Sequence, residues 1–234
     1  MQSDFIANGL MWYLVFVFST TCHEAAHAIA AKIGGDETAA EGGQATLNPM
    51  PHIQREPLGM VLFPVVSYLM GGWMIGWASV PFDPYWQERH PHRAAWMSLA
   101  GPATNLLLMI LAALLIHLGI SIGALSMPES VKFSHLVDAT TPGVWTSVAA
   151  LLSILFSLNL LLAIFNLIPV PPLDGHSAIG LLMSEQTLRK WHEFMSSPQF
   201  SLLGMLVAWK VMDQIFDPLF TLALNVLYPG AGFA

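Results

Sequence analysis

Apolar residues in this chain fall into five long runs separated by polar or Pro/Gly-rich connections. The runs cover about residues 5–33, 58–77, 94–120, 144–168 and 200–227. Most of them reach or approach the roughly 20 residues that an α-helix needs to cross a bilayer. They carry no strict alternation of polar and apolar positions, so helices are expected rather than half-buried strands. The second run is interrupted by Pro64 and Gly71-Gly72, a pattern suited to a re-entrant hairpin, in which protein or a water-filled cavity surrounds the irregular backbone. In the fifth, Lys210, Asp213 and Asp217 share one helix face. They read as a packed or interfacial polar seam, followed by a kink at Pro218.

Composition strengthens this reading. Of 234 residues, 55% are hydrophobic and only 10% charged, against about 25% charged in a typical soluble domain. The expected fold class is therefore an all-α polytopic membrane protein in contact with the lipid bilayer. A single integral-membrane domain over 1–234 is expected, with its core at about 5–180 and a C-terminal membrane segment at about 199–228. A net charge of −7 and the lack of a Lys/Arg cluster argue against a nucleic-acid partner. Cys22 is the only cysteine, which excludes an intrachain disulfide. The Met1-Gln2-Ser3-Asp4 start has no basic residue, so the first run is read as a retained helix rather than a cleaved leader.

The first run carries His23-Glu24-Ala25-Ala26-His27. On a helix the two histidines lie one turn apart and about 40° around the axis, so both rings can reach one metal. Glu24 is offset by about 100° and flanks that metal, as suits a general base acting on water. Three ionisable groups in an apolar helix are costly unless they are used. A catalytic zinc needs a third protein ligand as well as an open position. Position 33 is Ile, which rules out the longer motif with a nearby third histidine. Asp174 is the strongest alternative. It follows Pro169, Pro171 and Pro172, which force an extended path where the fourth run ends, and it precedes Gly175, which permits a sharp turn. A carboxylate on such a break can point into a cavity, although Asp-Gly after prolines is also a common plain turn.

His23-Glu24-x-x-His27, taken with Asn166-x-x-Pro169-x-x-x-Leu173-Asp174-Gly175, resembles the site-2 protease family of intramembrane zinc metalloproteases, in its compact type without PDZ or CBS domains. Shorter stretches support the resemblance: Gly35-Asp36, Thr46-Leu47-Asn48-Pro49 with His52-Ile53, Gly76-Trp77-Ala78, and Ala100-Gly101-Pro102 with Asn105. The resemblance implies one Zn2+ per chain held by His23, His27 and Asp174, with Glu24 as catalytic acid/base and Asn166 in contact with substrate or transition state. It places His52 in a recurring motif and so makes it a candidate to support the site from behind. His176, where the family commonly has Gly or Ser, is a second such candidate. Gly101, Pro102 and Asn105 are read as helix packing and capping. A short strand-like element near 76–81 would pair with an unwound substrate. Ser79-Val80-Pro81 departs from the family, which often has a lysine and a Pro-Val pair there. The implied substrate is a membrane-spanning protein or peptide, the implied location a prokaryotic cell membrane, and any gate internal or a separate regulatory partner. Two other readings compete: a catalytically silent metal-binding membrane scaffold, and a metal-ion transporter.

Overall fold

From Leu10 to Ile33 the chain contains neither glycine nor proline, and it forms one continuous helix, α1 (Gln2–Gly34). The structure is a computed structural model that describes residues 2–233, with side chains from residue 5 onward; Met1 lies outside it. After α1 come two short helices, α2 (Thr38–Glu41) and α3 (Pro49–Arg55), then a π-helical turn (Leu58–Leu62) leading into α4 (Phe63–Gly71). Asn48 caps α3 by accepting from the Met50 N–H, and Pro49 occupies its first turn, where a missing N–H costs nothing. Next are α5 (Pro84–Arg89) and α6 (Pro91–Ser121). β1 (Leu125–Ser126) pairs antiparallel with β2 (Asp138–Ala139), with Leu125 opposite Ala139. Helix α7 (Val144–Leu167) is followed by α8 (Gly175–Ala178), a 3-10 turn (Ile179–Leu182), α9 (Glu185–Met195) and α10 (Pro198–Leu227).

All five apolar runs become helical, but they differ in reach. Among the described residues, three helices are long and apolar enough to cross a membrane: Phe5–Gly34, Pro91–Ser121 and Val144–Leu167. The second run yields only Leu58–Gly71, short of a span; the chain then turns at Gly72 (φ +75°). The fifth run is a single helix with Pro218 inside it. Its Lys210, Asp213 and Asp217 are exposed rather than packed within the chain, and these charges set α10 apart from the three spans. Trp12 and Trp86 are buried within the fold.

Helix α6 is the hub. It packs along both α1 and α7, and α1 also touches α7. One apolar core lies where α6, α7 and the end of α10 meet, around Ala112, Ile116, Phe156 and Leu224. A second joins α1 to α7 through Trp12, Phe16, Ile154 and Leu158. Between these cores the three long helices hold the histidines of α1 at a fixed depth against α6.

Residues 74–83 run extended with no helix or sheet pairing. The paired strands form at 125–126 and 138–139 instead, so the strand-like element expected near 76–81 is present only as an unpaired extended segment. It crosses the π-helical turn at Gly59 and Gly76, where a Cβ on Gly59 would collide with the Trp77 carbonyl and one on Gly76 with the Gly59 carbonyl. Trp77 N–H donates to the Gly59 carbonyl, and Gln44 donates to the Ser79 carbonyl.

Candidate metal centre

One helical turn separates His23 from His27, and both side chains are buried on the face of α1 that meets α6. Their Nε2 atoms are 3.0 Å apart. Asp174 reaches them from the opposite end of the chain: its Oδ2 lies 3.1 Å from His23 Nε2 and 3.3 Å from His27 Nε2. Three local features bring it there. The prolines end α7 and turn the chain, with a cis bond between Pro171 and Pro172. Gly175 packs so tightly on the Leu167 and Ile168 carbonyls that a Cβ would collide with them. On the far side, Gly204 of α10 lies flush against the Pro171 carbonyl, and Ile168, Leu173 and Ala208 form a small apolar core.

The hydrogen count at this cluster decides what it can hold. His27 Nδ1 donates to the Met97 carbonyl at 2.7 Å. A carbonyl cannot donate, so the neutral imidazole carries its hydrogen on Nδ1 and presents a lone pair from Nε2. His23 Nδ1 donates to Asn105 Oδ1 at 2.5 Å, which leaves its Nε2 bare as well. Asp174 Oδ2 is buried and receives no hydrogen bond. With both imidazoles neutral, three acceptors face one another without a hydrogen between them, an arrangement that a cation reconciles. A tetrahedral site with bonds of roughly 2.0–2.1 Å has edges of about 3.3 Å. The observed separations of 3.0, 3.1 and 3.3 Å are close to that. The donor set thus fits zinc, and among the described residues it is the only trio of His, Cys, Asp or Glu atoms converging in this way.

Helix α6 makes room for the two rings. Gly101 lies directly over them, and a Cβ there would overlap both Nε2 atoms. Gly101 and Asn105 are thus part of the site's construction, beyond the helix packing and capping read from sequence. Glu24 is buried beside the cluster, within Coulombic reach of His23, His27, Asp174 and His52. His52 is fully buried; its Nε2 meets the Thr46 carbonyl at 3.2 Å, and its Nδ1 has no partner. His176 stays outside the trio. Its Nδ1 faces the Leu173 carbonyl at 3.3 Å, and its ring packs 5.8 Å from that of His192. Burial pushes the His176 imidazole below its ordinary range, and burial together with the neighbouring His176 takes His192 down to about 4. Asn166 is half-buried, eight positions before Asp174, and spends one amide hydrogen on the Leu162 carbonyl.

The profile of Peptidase family M50 matches residues 11–206, a stretch that contains every one of these groups. The chain belongs to peptidase family M50. This is the site-2 protease family, and membership makes the protein a zinc-dependent membrane protease. Among curated proteins, this M50 chain is 35% identical over 174 residues to "Putative zinc metalloprotease YwhC" of Bacillus subtilis (strain 168), covering 73% of the chain and 69% of that protein. It is 28% identical to "Putative zinc metalloprotease Rip2" of Mycolicibacterium smegmatis, covering 74% of the chain and 58% of the relative. It is likewise 28% identical to the Mycobacterium tuberculosis (strain H37Rv) protein of the same name, covering 82% of the chain and 63% of the relative. The chain thus spans less than two thirds of both Rip2 proteins. No solved structure matches it significantly.

Proposed function

We propose that this M50 protein is an intramembrane endopeptidase that hydrolyses peptide bonds of membrane-spanning protein substrates. The carrying observation is the convergence of three possible metal-ligand atoms, with a buried carboxylate beside them, between helices long enough to cross a bilayer. In this reading His23, His27 and Asp174 hold one zinc, which when bound supplies Lewis-acid activation of water. Glu24 takes the proton of the attacking water and returns it to the leaving amide nitrogen. Its burial keeps bulk water from competing for that proton. Asn166 has a second amide hydrogen to offer the oxyanion of the scissile carbonyl.

Substrate presentation falls to the extended segment. Residues 75, 77 and 79 spend backbone groups on the molecule itself. By the alternation of a strand, the backbone groups of Gly76, Ala78 and Val80 face the other way, and no partner for them occurs among the described residues. That edge suits strand addition by an unwound substrate, whose peptide bonds a helix would otherwise hide. His52 and His176 are read as supporting the site from behind rather than as ligands. The chain works as one protease domain, with its core at about 5–180, and any gate is internal or a separate regulatory partner. Its bacterial relatives favour a prokaryotic cell membrane as its location.

Glu24→Gln tests the reading. The variant is expected to retain one zinc per chain and lose cleavage of a model transmembrane substrate in proteoliposomes. Cleavage at the wild-type rate would sink the assignment of Glu24, and loss of zinc would show that the residue has a structural role instead.

A further inference from the structure

An asparagine amide can be turned over with almost no change in shape, and its two ends then exchange donor for acceptor. At Asn105 that exchange has a chemical consequence. With the oxygen toward His23, the imidazole keeps its hydrogen on Nδ1 and presents a lone pair from Nε2. With the NH2 toward His23, Nδ1 must accept, the hydrogen moves to Nε2, and that nitrogen can no longer ligate. Something has to hold the amide the right way round before a metal arrives.

The structure contains a chain of bonds that does so. Asn105 Nδ2 donates to Asn159 Oδ1 at 2.8 Å. Asn159 Nδ2 donates in turn to Ser19 Oγ and to the Leu155 carbonyl, both at 2.8 Å. Leu155 anchors the sequence, because a backbone carbonyl has no donor form. It fixes which end of Asn159 is nitrogen, Asn159 fixes Asn105, and Asn105 fixes the hydrogen on His23. Ser19, Asn105 and Asn159 are fully buried, so no solvent is present to accept a turned-over arrangement. His27 is fixed in the same way in a single step, by the Met97 carbonyl. Each histidine thus takes its tautomer from a main-chain carbonyl, His27 directly and His23 through two amides on two other helices.

We infer that Asn159, on α7, is a positioning residue for metal uptake, holding the metal-free His23 in its ligating tautomer through the orientation of Asn105. The inference rests on His23 being a zinc ligand. Zinc affinity of the full chain in detergent micelles, measured by chelator competition, tests both claims separately, and the visible absorption of the Co2+ form reports the ligand geometry. His23→Ala should lose the ion; retention of zinc would overturn the ligand set, and this inference with it. Given that control, Asn159→Leu removes the acceptor that holds Asn105 and is expected to weaken zinc binding about 10–100-fold, the usual effect of losing an outer hydrogen-bond partner. Asn105→Asp in the same chain should restore it, because a carboxylate has only acceptors and holds His23 Nδ1–H whatever stands at 159. Wild-type affinity in Asn159→Leu would overturn the inference. So would a double variant as weak as Asn159→Leu, since the loss would then be one of packing. Should Asn159→Leu fail to fold, Asn159→Asp keeps the acceptor for Asn105. Wild-type affinity is then the expected result, and a tenfold or greater loss the contrary one.

Discussion

Gly101 faces the two histidines with nothing larger than a hydrogen atom, and a methyl group there would overlap both Nε2 atoms. Alanine favours a helix over glycine by about 1 kcal/mol, so Gly101→Ala should not weaken α6 itself. Overpacking at a tight contact costs about 1–3 kcal/mol, here borne by the rings that must converge. Zinc affinity should fall from roughly fivefold to more than a hundredfold, while the metal-free protein melts no lower than wild type; chelator competition and calorimetry on the same sample check both halves. The residues behind this prediction show what the sequence made legible at this scale. The histidine pair could be read directly, because a helix brings positions 23 and 27 together without help from the rest of the fold. Asp174 could be singled out by its proline-rich setting, but only family resemblance weighted it above a plain turn. Asn105 and Asn159 could not be read as site residues. An amide in an apolar helix looks like packing until its partners, on other helices, are known.

At the scale of elements, two glycine contacts position the non-helical parts of the site and give separable predictions. Gly59 and Gly76 let the extended segment cross the π-helical turn at backbone contact. Gly76→Ala should push that segment off its seat. If the segment presents substrate, kcat/KM on a transmembrane peptide should fall with zinc content unchanged. Full activity in Gly76→Ala would remove the segment from the mechanism. Gly204 performs the corresponding task for the loop that carries Asp174, where α10 meets the Pro171 carbonyl. Gly204→Val should displace α10, weaken zinc binding and lower the thermal midpoint together, at a cost on the order of 1–3 kcal/mol. The long helices were legible from unbroken apolar runs, as in α1 and α7. Pro64 and the paired glycines likewise marked the second run as too broken to span. What the run pattern could not show was the lateral seat of α10 against the proline loop, which depends on one glycine with no local signature.

At the scale of the whole molecule, the proposed metal site is a cross-link. His23 and His27 belong to α1, whereas Asp174 belongs to a loop beyond α7, and a bound cation would tie the two together. The helix cores around Phe156 and Leu158 do not involve the cluster, so they should survive its removal. A ligand present at a hundred times its dissociation constant stabilises the folded state by about 2.7 kcal/mol. Chelation should therefore lower the thermal midpoint of a Glu24→Gln protein, used so that self-cleavage does not intervene, and His23→Ala should show no such response to zinc. Hydrogen exchange localises the effect. On chelation, amides across 168–178 should exchange faster, because their loop loses its tie to α1, while those of Leu152–Leu160 in the buried stretch of α7 should keep their protection. Uniform loss of protection over both regions would mean that the ion holds the whole helical assembly together, and unchanged exchange at 168–178 would mean that α10 alone seats the loop and that zinc enters a site already closed around it.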